Sequence, residues 1–126
     1  MRTDDIKDIK DIAVSGLVEL FTSIAIDQDK ALFNEEIAKF NKLYGQMEVV
    51  RDELKRRPGD QRRALLALYQ HPNMQVRLKA AVSTLAVSPQ PARDVVESIA
   101  RSRQQPQAGD AGMLLRGLDD GSFVPS

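Results

Sequence analysis

The chain has 126 residues with 18 basic and 18 acidic side chains, no cysteine and 42% hydrophobic residues, which is the composition of an ordinary soluble globular domain. The absence of thiols excludes disulfides, thiolate metal sites and cysteine nucleophiles. No apolar run approaches the length of a membrane span, and the acidic first dozen residues are unlike a signal peptide, so we expect a cytoplasmic protein without membrane contact.

The first half of the sequence predicts two long amphipathic helices. Residues 12–32 place apolar side chains on one face at steps of three and four. Asn34 is a good N-cap for the second helix, and Glu35 and Glu36 would then suit its positive end. Pro58 and the following glycine end it. The apolar side of this second helix comprises Ile37, Phe40, Leu43, Tyr44, Met47, Val50 and Leu54.

The middle of the chain predicts a short helix and then an unusually apolar one. Asp60 can cap a helix that ends at Tyr69, and the apolar run 64–69 indicates that this helix is buried. Residues 74–87 form a helix that is apolar on two opposite sides, which indicates packing from both flanks. Either an interior helix of a repeat stack or the central helix of a compact bundle would show this pattern. One side carries Val76, Ala80 and Val87, and the other carries Leu78, Ala81, Val82 and Leu85.

The last third predicts two further helices. Ser88 and Pro89 are an N-cap and a first-turn proline, and Asp110 is the predicted cap of the final helix after a polar loop at 104–109. Phe123 is the one aromatic residue of the tail, and we expect it to dock onto the core. The predicted fold class is therefore all-α, with six helices in three hairpins and no sheet.

The turn before the fourth helix resembles a known repeat. The run from Pro72 to Arg77, followed by Ala80-Ala81 and Leu85, is similar to the turn and second helix of HEAT/armadillo-type repeats, with His71 where that pattern often has Asp and Met74 where it often has Pro. The resemblance implies that Arg77 bonds acceptors in the turn and has a structural role.

The whole chain also resembles a family of short bacterial proteins of unknown function, built as small helical-repeat domains. The resemblance lies in the His-Pro-Asn turn, the segment 106–110 and the Gly-Ser-Phe-x-Pro ending. It implies one domain over 1–126, in which three helical hairpins stack as a short HEAT/armadillo-like right-handed superhelix. Its parts would be a long hairpin at 1–57, a HEAT-like repeat at 60–87, a degenerate capping repeat at 88–121 and a tail at 122–126.

The sequence offers little catalytic equipment. His71 is the only histidine, and a metal site would need further His or Cys ligands. No acidic spacing resembles a calcium loop. The serines and threonines have helix-interior or helix-end explanations, and no base stands near them in sequence. We therefore expect no enzymatic activity, no catalytic residue, no metal and no cofactor.

A basic cluster flanks the turn at Pro58. Its simplest interpretation is a solvated corner whose charge complements a helix C-terminus. The alternative is a patch for an acidic protein or for phosphates, although the absence of Trp and the few other aromatic residues disfavour nucleic acid. The cluster comprises Arg51, Lys55, Arg56, Arg57, Arg62 and Arg63.

The favoured function is a protein-binding module, such as an immunity-type inhibitor or an adaptor. Helical-repeat stacks bind other chains on the surface of the second helix of each pair, which here would expose a polar stripe. A nucleic-acid-binding protein using the basic corner and a homo-oligomer formed through the 12–57 hairpin are the alternatives. The predicted partner-binding residues are Gln75, Lys79, Ser83, Arg56, Arg57, Arg62 and Arg63.

Overall fold

The computed structural model describes residues 9–126, and in that range the protein is all-helical with no strand. This confirms the predicted fold class and the six predicted helices. The chain divides into two compact units, Met1–Ala64 and Leu65–Ser126. The helices are α1 (Val14–Phe33), α2 (Ile37–Arg56), a 3-10 helix (Gln61–Gln70), α3 (Met74–Thr84), α4 (Pro89–Arg101) and α5 (Gln107–Asp120).

The first unit is built around the hairpin of α1 and α2, which pack against each other. Their apolar residues recur at steps of three and four, so each helix presents one stripe to its partner. Arg57 follows α2 and donates from Nη2 to the Ile9 carbonyl at 3.1 Å, which ties the start of the described chain to the end of α2. The buried apolar side chains of the two helices are Leu17, Leu20, Phe21, Ile24, Ala25, Ala31, Leu43, Met47, Val50 and Leu54.

The connection between α1 and α2 differs from the prediction. Asn34 caps the C-terminus of α1, and α2 begins only at Ile37. Glu35 takes a left-handed conformation with φ 56°, and the Glu36 N–H donates to the Ala31 carbonyl at 2.8 Å. A left-handed residue with this backbone bond is the usual way of closing a helix C-terminus. The segment that sequence reasoning assigned to the start of α2 therefore ends α1.

The second unit is built from α3, α4 and α5, which pack on one another. Both apolar sides of α3 are buried, since Val76 and Ala80 are as inaccessible as Leu78 and Ala81, and this confirms the burial predicted from its two apolar sides. The buried core of the unit comprises Leu78, Ala81, Leu85, Ala92, Val96, Ile99 and Ala111.

The turn that precedes α3 is held by side-chain bonds to the backbone. Asn73 Oδ1 accepts from the Val76 N–H at 3.1 Å and caps α3, while His71 Nδ1 accepts from the Asn73 N–H at 3.0 Å. Arg77 Nη1 donates to the carbonyls of His71 at 2.8 Å and Pro72 at 3.0 Å. The structural role predicted for Arg77 is confirmed, with backbone carbonyls as its partners.

Two further helices differ from the prediction, one in its type and one in its first residue. The helix after Asp60 is of the 3-10 type, although Asp60 Oδ1 accepts from the Arg62 N–H at 3.3 Å as a cap would. The last helix begins at Gln107, so that Asp110 lies in its first turn. The Gln105 side chain accepts from the Gly109 N–H at 3.0 Å, and this bond serves a free N–H at the helix start in place of the predicted Asp110 cap.

The C-terminal tail docks on the second unit as predicted. Phe123 packs against the core, and its N–H donates to the Gly117 carbonyl at 3.0 Å. A Cβ at Gly117 would lie 3.1 Å from the Phe123 Cβ, so a glycine here lets the tail approach α5 closely. Gly121 reverses the chain after α5 with φ 79°.

Candidate functional site

The predicted polar stripe of α3 is not an exposed surface. Gln75 is only 1% exposed and Ser83 is also buried, which corrects the expectation that both would face a partner. Gln107, in the first turn of α5, donates from Nε2 to Gln75 Oε1 at 3.0 Å. Lys79 lies half-buried on α3, between Gln75 and Ser83 in the sequence. Burial lowers the pKa of its ammonium group, and the nearby Asp110 carboxylate opposes this shift. Gln75 of the stripe therefore bonds α5 to α3 and does not face solvent.

The basic cluster is largely paired with carboxylates. Arg51 lies 3.7 Å from Glu48 and 3.3 Å from Asp52. Arg62 bonds Asp60 through Nε at 2.9 Å and Nη2 at 2.7 Å, and this guanidinium holds the pKa of the Asp60 carboxyl below its usual range. Arg62 is buried, so it is not available on the surface as the sequence analysis expected.

Glu53 joins two more arginines of the cluster. Its carboxylate accepts from Arg56 Nη2 at 2.7 Å and from Arg57 Nε at 2.9 Å. Both bonds favour the ionised carboxylate, that with Arg56 most, and they lower the pKa of Glu53. Arg57 is half-buried because its guanidinium also bonds the Ile9 carbonyl.

The pairing changes the character of the basic corner. Residues 48–63 contain six basic and four acidic side chains, and all four acidic ones lie within 4 Å of an arginine. The positive charge presented to solvent comes mainly from the exposed side chains of Lys55, Arg56 and Arg63. This arrangement matches the solvated-corner interpretation better than a phosphate-binding patch, since four of the five arginines would first have to leave a carboxylate to contact a phosphate.

The connection between α1 and α2 exposes an apolar surface that the sequence did not single out; we call residues 31–40 the hairpin tip. Phe33 is 88% exposed and Ile37 is 74% exposed. An open pocket of about 440 Å³ is lined by Ile37 but not by Phe33. Its lining residues are Ala31, Leu32, Glu35, Glu36, Ile37 and Phe40.

Two sequence signals bear on this surface. Phe33 lies roughly opposite the buried stripe of α1, which ends at Ala31, so its position alone indicates exposure. Ile37 and Tyr44 belong to the apolar side predicted for the second helix, but the structure leaves both exposed and buries only the later part of that side. The last buried side chain of α1 is the methyl group of Ala31, which lines the open pocket beside the first turn of α2.

A second open pocket lies in the second unit. Its volume is about 410 Å³, and its charged lining residue, Arg93, already bonds Glu97 at 3.1 Å and Asp119 at 2.9 Å. A ligand would have to compete with both carboxylates for the guanidinium. The lining residues are Leu85, Ala86, Pro89, Arg93, Leu118 and Pro125.

The described part of the chain offers neither a metal site nor a membrane-spanning helix. Across residues 9–126, no three His, Cys, Asp or Glu side chains come together as a metal site requires, and none of the helices has both the length and the apolarity to cross a bilayer. His71 accepts a hydrogen bond from the turn backbone.

These features define a small all-helical protein with a paired basic corner and an exposed apolar hairpin tip. The chain belongs to the family described as Domain of unknown function (DUF2019), which matches residues 15–119. It is similar to the protein RPA1889 from Rhodopseudomonas palustris CGA009, known from a crystal structure, with 52% sequence identity and a TM-score of 0.91; the match covers 94% of this chain and 98% of that one. No curated protein matches the chain.

Proposed function

We propose that this chain is a small cytoplasmic protein-binding module, an adaptor or an immunity-type inhibitor, which docks its partner on the hairpin tip. The observation that carries the proposal is the exposure of Phe33 and Ile37, at 88% and 74%, in a segment whose open and mostly apolar pocket is lined by Ile37. Single exposed apolar residues are normal, but clustered ones beside a pocket mark interaction sites. The role proposed needs neither a catalytic residue nor a cofactor.

The size of the tip sets its contribution to binding. Phe33 and Ile37 together expose on the order of 300 Å² of apolar surface, less than half of the ~800 Å² that one partner buries in a standard interface. The tip therefore supplies an apolar centre, and polar surface around it supplies the rest. At about 25 cal/mol per Å² the two side chains contribute at most ~7 kcal/mol before association costs of similar size. Removing either one should weaken the complex strongly.

The turn before α3 and the pairing of the basic corner also bear on the proposed function. The bonds from Arg77 to the carbonyls of the turn support the likeness to a HEAT-type repeat, a class that binds proteins. Self-association through the α1–α2 hairpin would use the same apolar surface and is an outcome of the test below. The nucleic-acid alternative gains no support, because most arginines of the basic corner are paired with carboxylates.

The test is site-specific photo-crosslinking in the native host. A photoreactive amino acid replaces Phe33 in one strain and, in the control strain, Val124, an apolar residue of the second unit that is 76% exposed. We expect one protein to be crosslinked from position 33 and not from position 124. That protein, once purified, should form a stoichiometric complex with the wild-type chain, and Phe33→Ser should weaken the complex at least tenfold.

The outcomes separate the possibilities. A crosslink only to a second copy of the chain would replace the proposal with the homo-oligomer. Equal crosslinking from both positions, or a purified partner whose affinity is unchanged by Phe33→Ser, would rule out the hairpin tip as the docking site. If the partner is a toxin, co-expression should suppress its toxicity, as expected of an immunity-type inhibitor; an adaptor would leave the partner active.

A further inference from the structure

The pocket of the hairpin tip carries negative charge at its rim. Four of its six lining residues are apolar, and the two charged ones are Glu35 and Glu36. The backbone of both residues is fixed at the end of α1, because their N–H groups donate to the Leu32 carbonyl at 3.3 Å and the Ala31 carbonyl at 2.8 Å. The way α1 ends therefore places both residues beside the pocket.

Both carboxylates are available to a partner. Glu35 and Glu36 are exposed, and within residues 9–126 neither forms an ion pair with a basic side chain. This contrasts with Glu53 and Asp60, which are committed to arginines. An acidic rim without internal partners beside an apolar pocket is complementary to a ligand that is apolar at its centre and positive at its edge.

The negative charge is confined to the lining of the pocket, because basic residues lie close by. Lys30 and Lys39 directly precede the lining residues Ala31 and Phe40 in the chain, but neither lysine lines the pocket. A second copy seated on the same tip in a two-fold arrangement would bring the Glu35 and Glu36 carboxylates of both chains together. Like charges facing each other disfavour that occupant.

We infer that the hairpin tip binds a cationic amphipathic segment of another protein, a helix whose apolar side chain enters the pocket while a flanking Lys or Arg pairs with Glu35 and Glu36. This inference rests on the proposed function and adds the chemistry of the partner. Apolar anchors with i, i+3 and i+4 spacing are the usual way in which a helix occupies a groove. The charged rim supplies orientation and selectivity for positive partners.

The test uses three designed amphipathic peptides that share one leucine face and carry Lys, Glu or Gln on the polar face. Binding to the full chain is measured by fluorescence anisotropy, and the site is mapped by amide chemical shifts. We expect the Lys peptide to bind at least tenfold more tightly than the Glu peptide, with shifts centred on the hairpin tip. Higher salt should reduce this preference, because the rim is exposed.

Matched variants isolate the charges. Glu35→Gln combined with Glu36→Gln should remove the preference for the Lys peptide and leave the affinity for the Gln peptide unchanged. Glu19→Gln combined with Asp27→Asn removes two exposed carboxylates of α1 that lie outside the pocket, and this control should keep the preference.

Failure of the inference and failure of the proposed function give different results. If all three peptides bind the tip equally and Phe33→Ser weakens all of them, the cationic partner is ruled out while the protein-binding tip stands. If no peptide binds, the inference is overturned, and crosslinking from position 33 still decides the proposed function. A dimer seen by light scattering and abolished by Phe33→Ser would overturn the cationic partner in favour of a second copy.

Discussion

Replacing Glu53 by glutamine removes the charge that links Arg56 and Arg57. The Glu53 side chain is 7% exposed and accepts from Arg57 at 2.9 Å, and the Arg57 side chain is 18% exposed. A charge-assisted bond in such a site contributes about 1.5–3 kcal/mol. The Arg56 side chain is 64% exposed, and an exposed pair three residues apart adds only ~0.3–0.5 kcal/mol. Because glutamine keeps one acceptor oxygen, we expect Glu53→Gln to lower the free energy of unfolding by about 2 kcal/mol at neutral pH.

The pH dependence has a definite sign. The arginines lower the pKa of Glu53 in the folded state, so the unfolded chain takes up a proton at higher pH than the folded one. The stabilisation is therefore fully present above the ordinary Glu pKa of about 4.3 and is lost as the pH falls through the lowered pKa of the folded state. The difference between wild type and Glu53→Gln should shrink accordingly below about pH 4.

Urea denaturation at a series of pH values measures this difference, with the slope of the transition unchanged between variants. Glu48→Gln is the matched control, because its carboxylate is 46% exposed and lies 3.7 Å from Arg51, so it should cost about 0.5 kcal/mol or less. Equal stability of the two variants at neutral pH would refute the proposed role of Glu53. A difference that persisted undiminished in acid would show that the side chain acts through its shape and not through its charge.

Four further predictions can be checked by the same denaturation assay. Gly45 lies inside α2, and a Cβ added there would have no atom within 4 Å, so Gly45→Ala should stabilise the chain by about 0.5–1 kcal/mol, and any loss would contradict the open site. Asn73→Ala removes the cap of α3 and should cost about 1 kcal/mol; an unchanged urea midpoint would argue against the cap. Glu35→Gly relieves a left-handed φ of 56° and should raise the free energy of unfolding by about 1 kcal/mol; a lowered urea midpoint would count against strain at this turn. Phe33→Ser should change stability by less than about 0.5 kcal/mol, since the side chain is 88% exposed; a larger loss would mean that Phe33 serves the fold.

Local patterns in the sequence were enough to predict the helices and the burial of most of their faces. Apolar spacing of three and four residues is a local signal, and in α3 it indicated burial on both sides because no broad polar face remained. The turn before α3 was also readable, since Asn73 and Arg77 bond backbone groups within six residues of themselves. Such short-range interactions depend on the identity of neighbouring residues and little else.

The availability of polar residues, in contrast, depends on how the helices pack. Gln75 occupies a polar stripe in the sequence, but Gln107, which is 32 residues away, buries it. The arginines of the basic corner form a positive cluster in the sequence, but in the structure Glu53 and Asp60 pair with three of them.

The hairpin tip shows the same contrast between local sequence patterns and the packing of the helices. The periodicity of α2 assigned Ile37 to a buried face, and nothing local revealed that an open pocket lies beside it. Burial and pairing depend on what faces a residue in space, and a single sequence does not encode this locally. The helices of this protein could therefore be read from its sequence, while its candidate binding surface became visible only when they were packed.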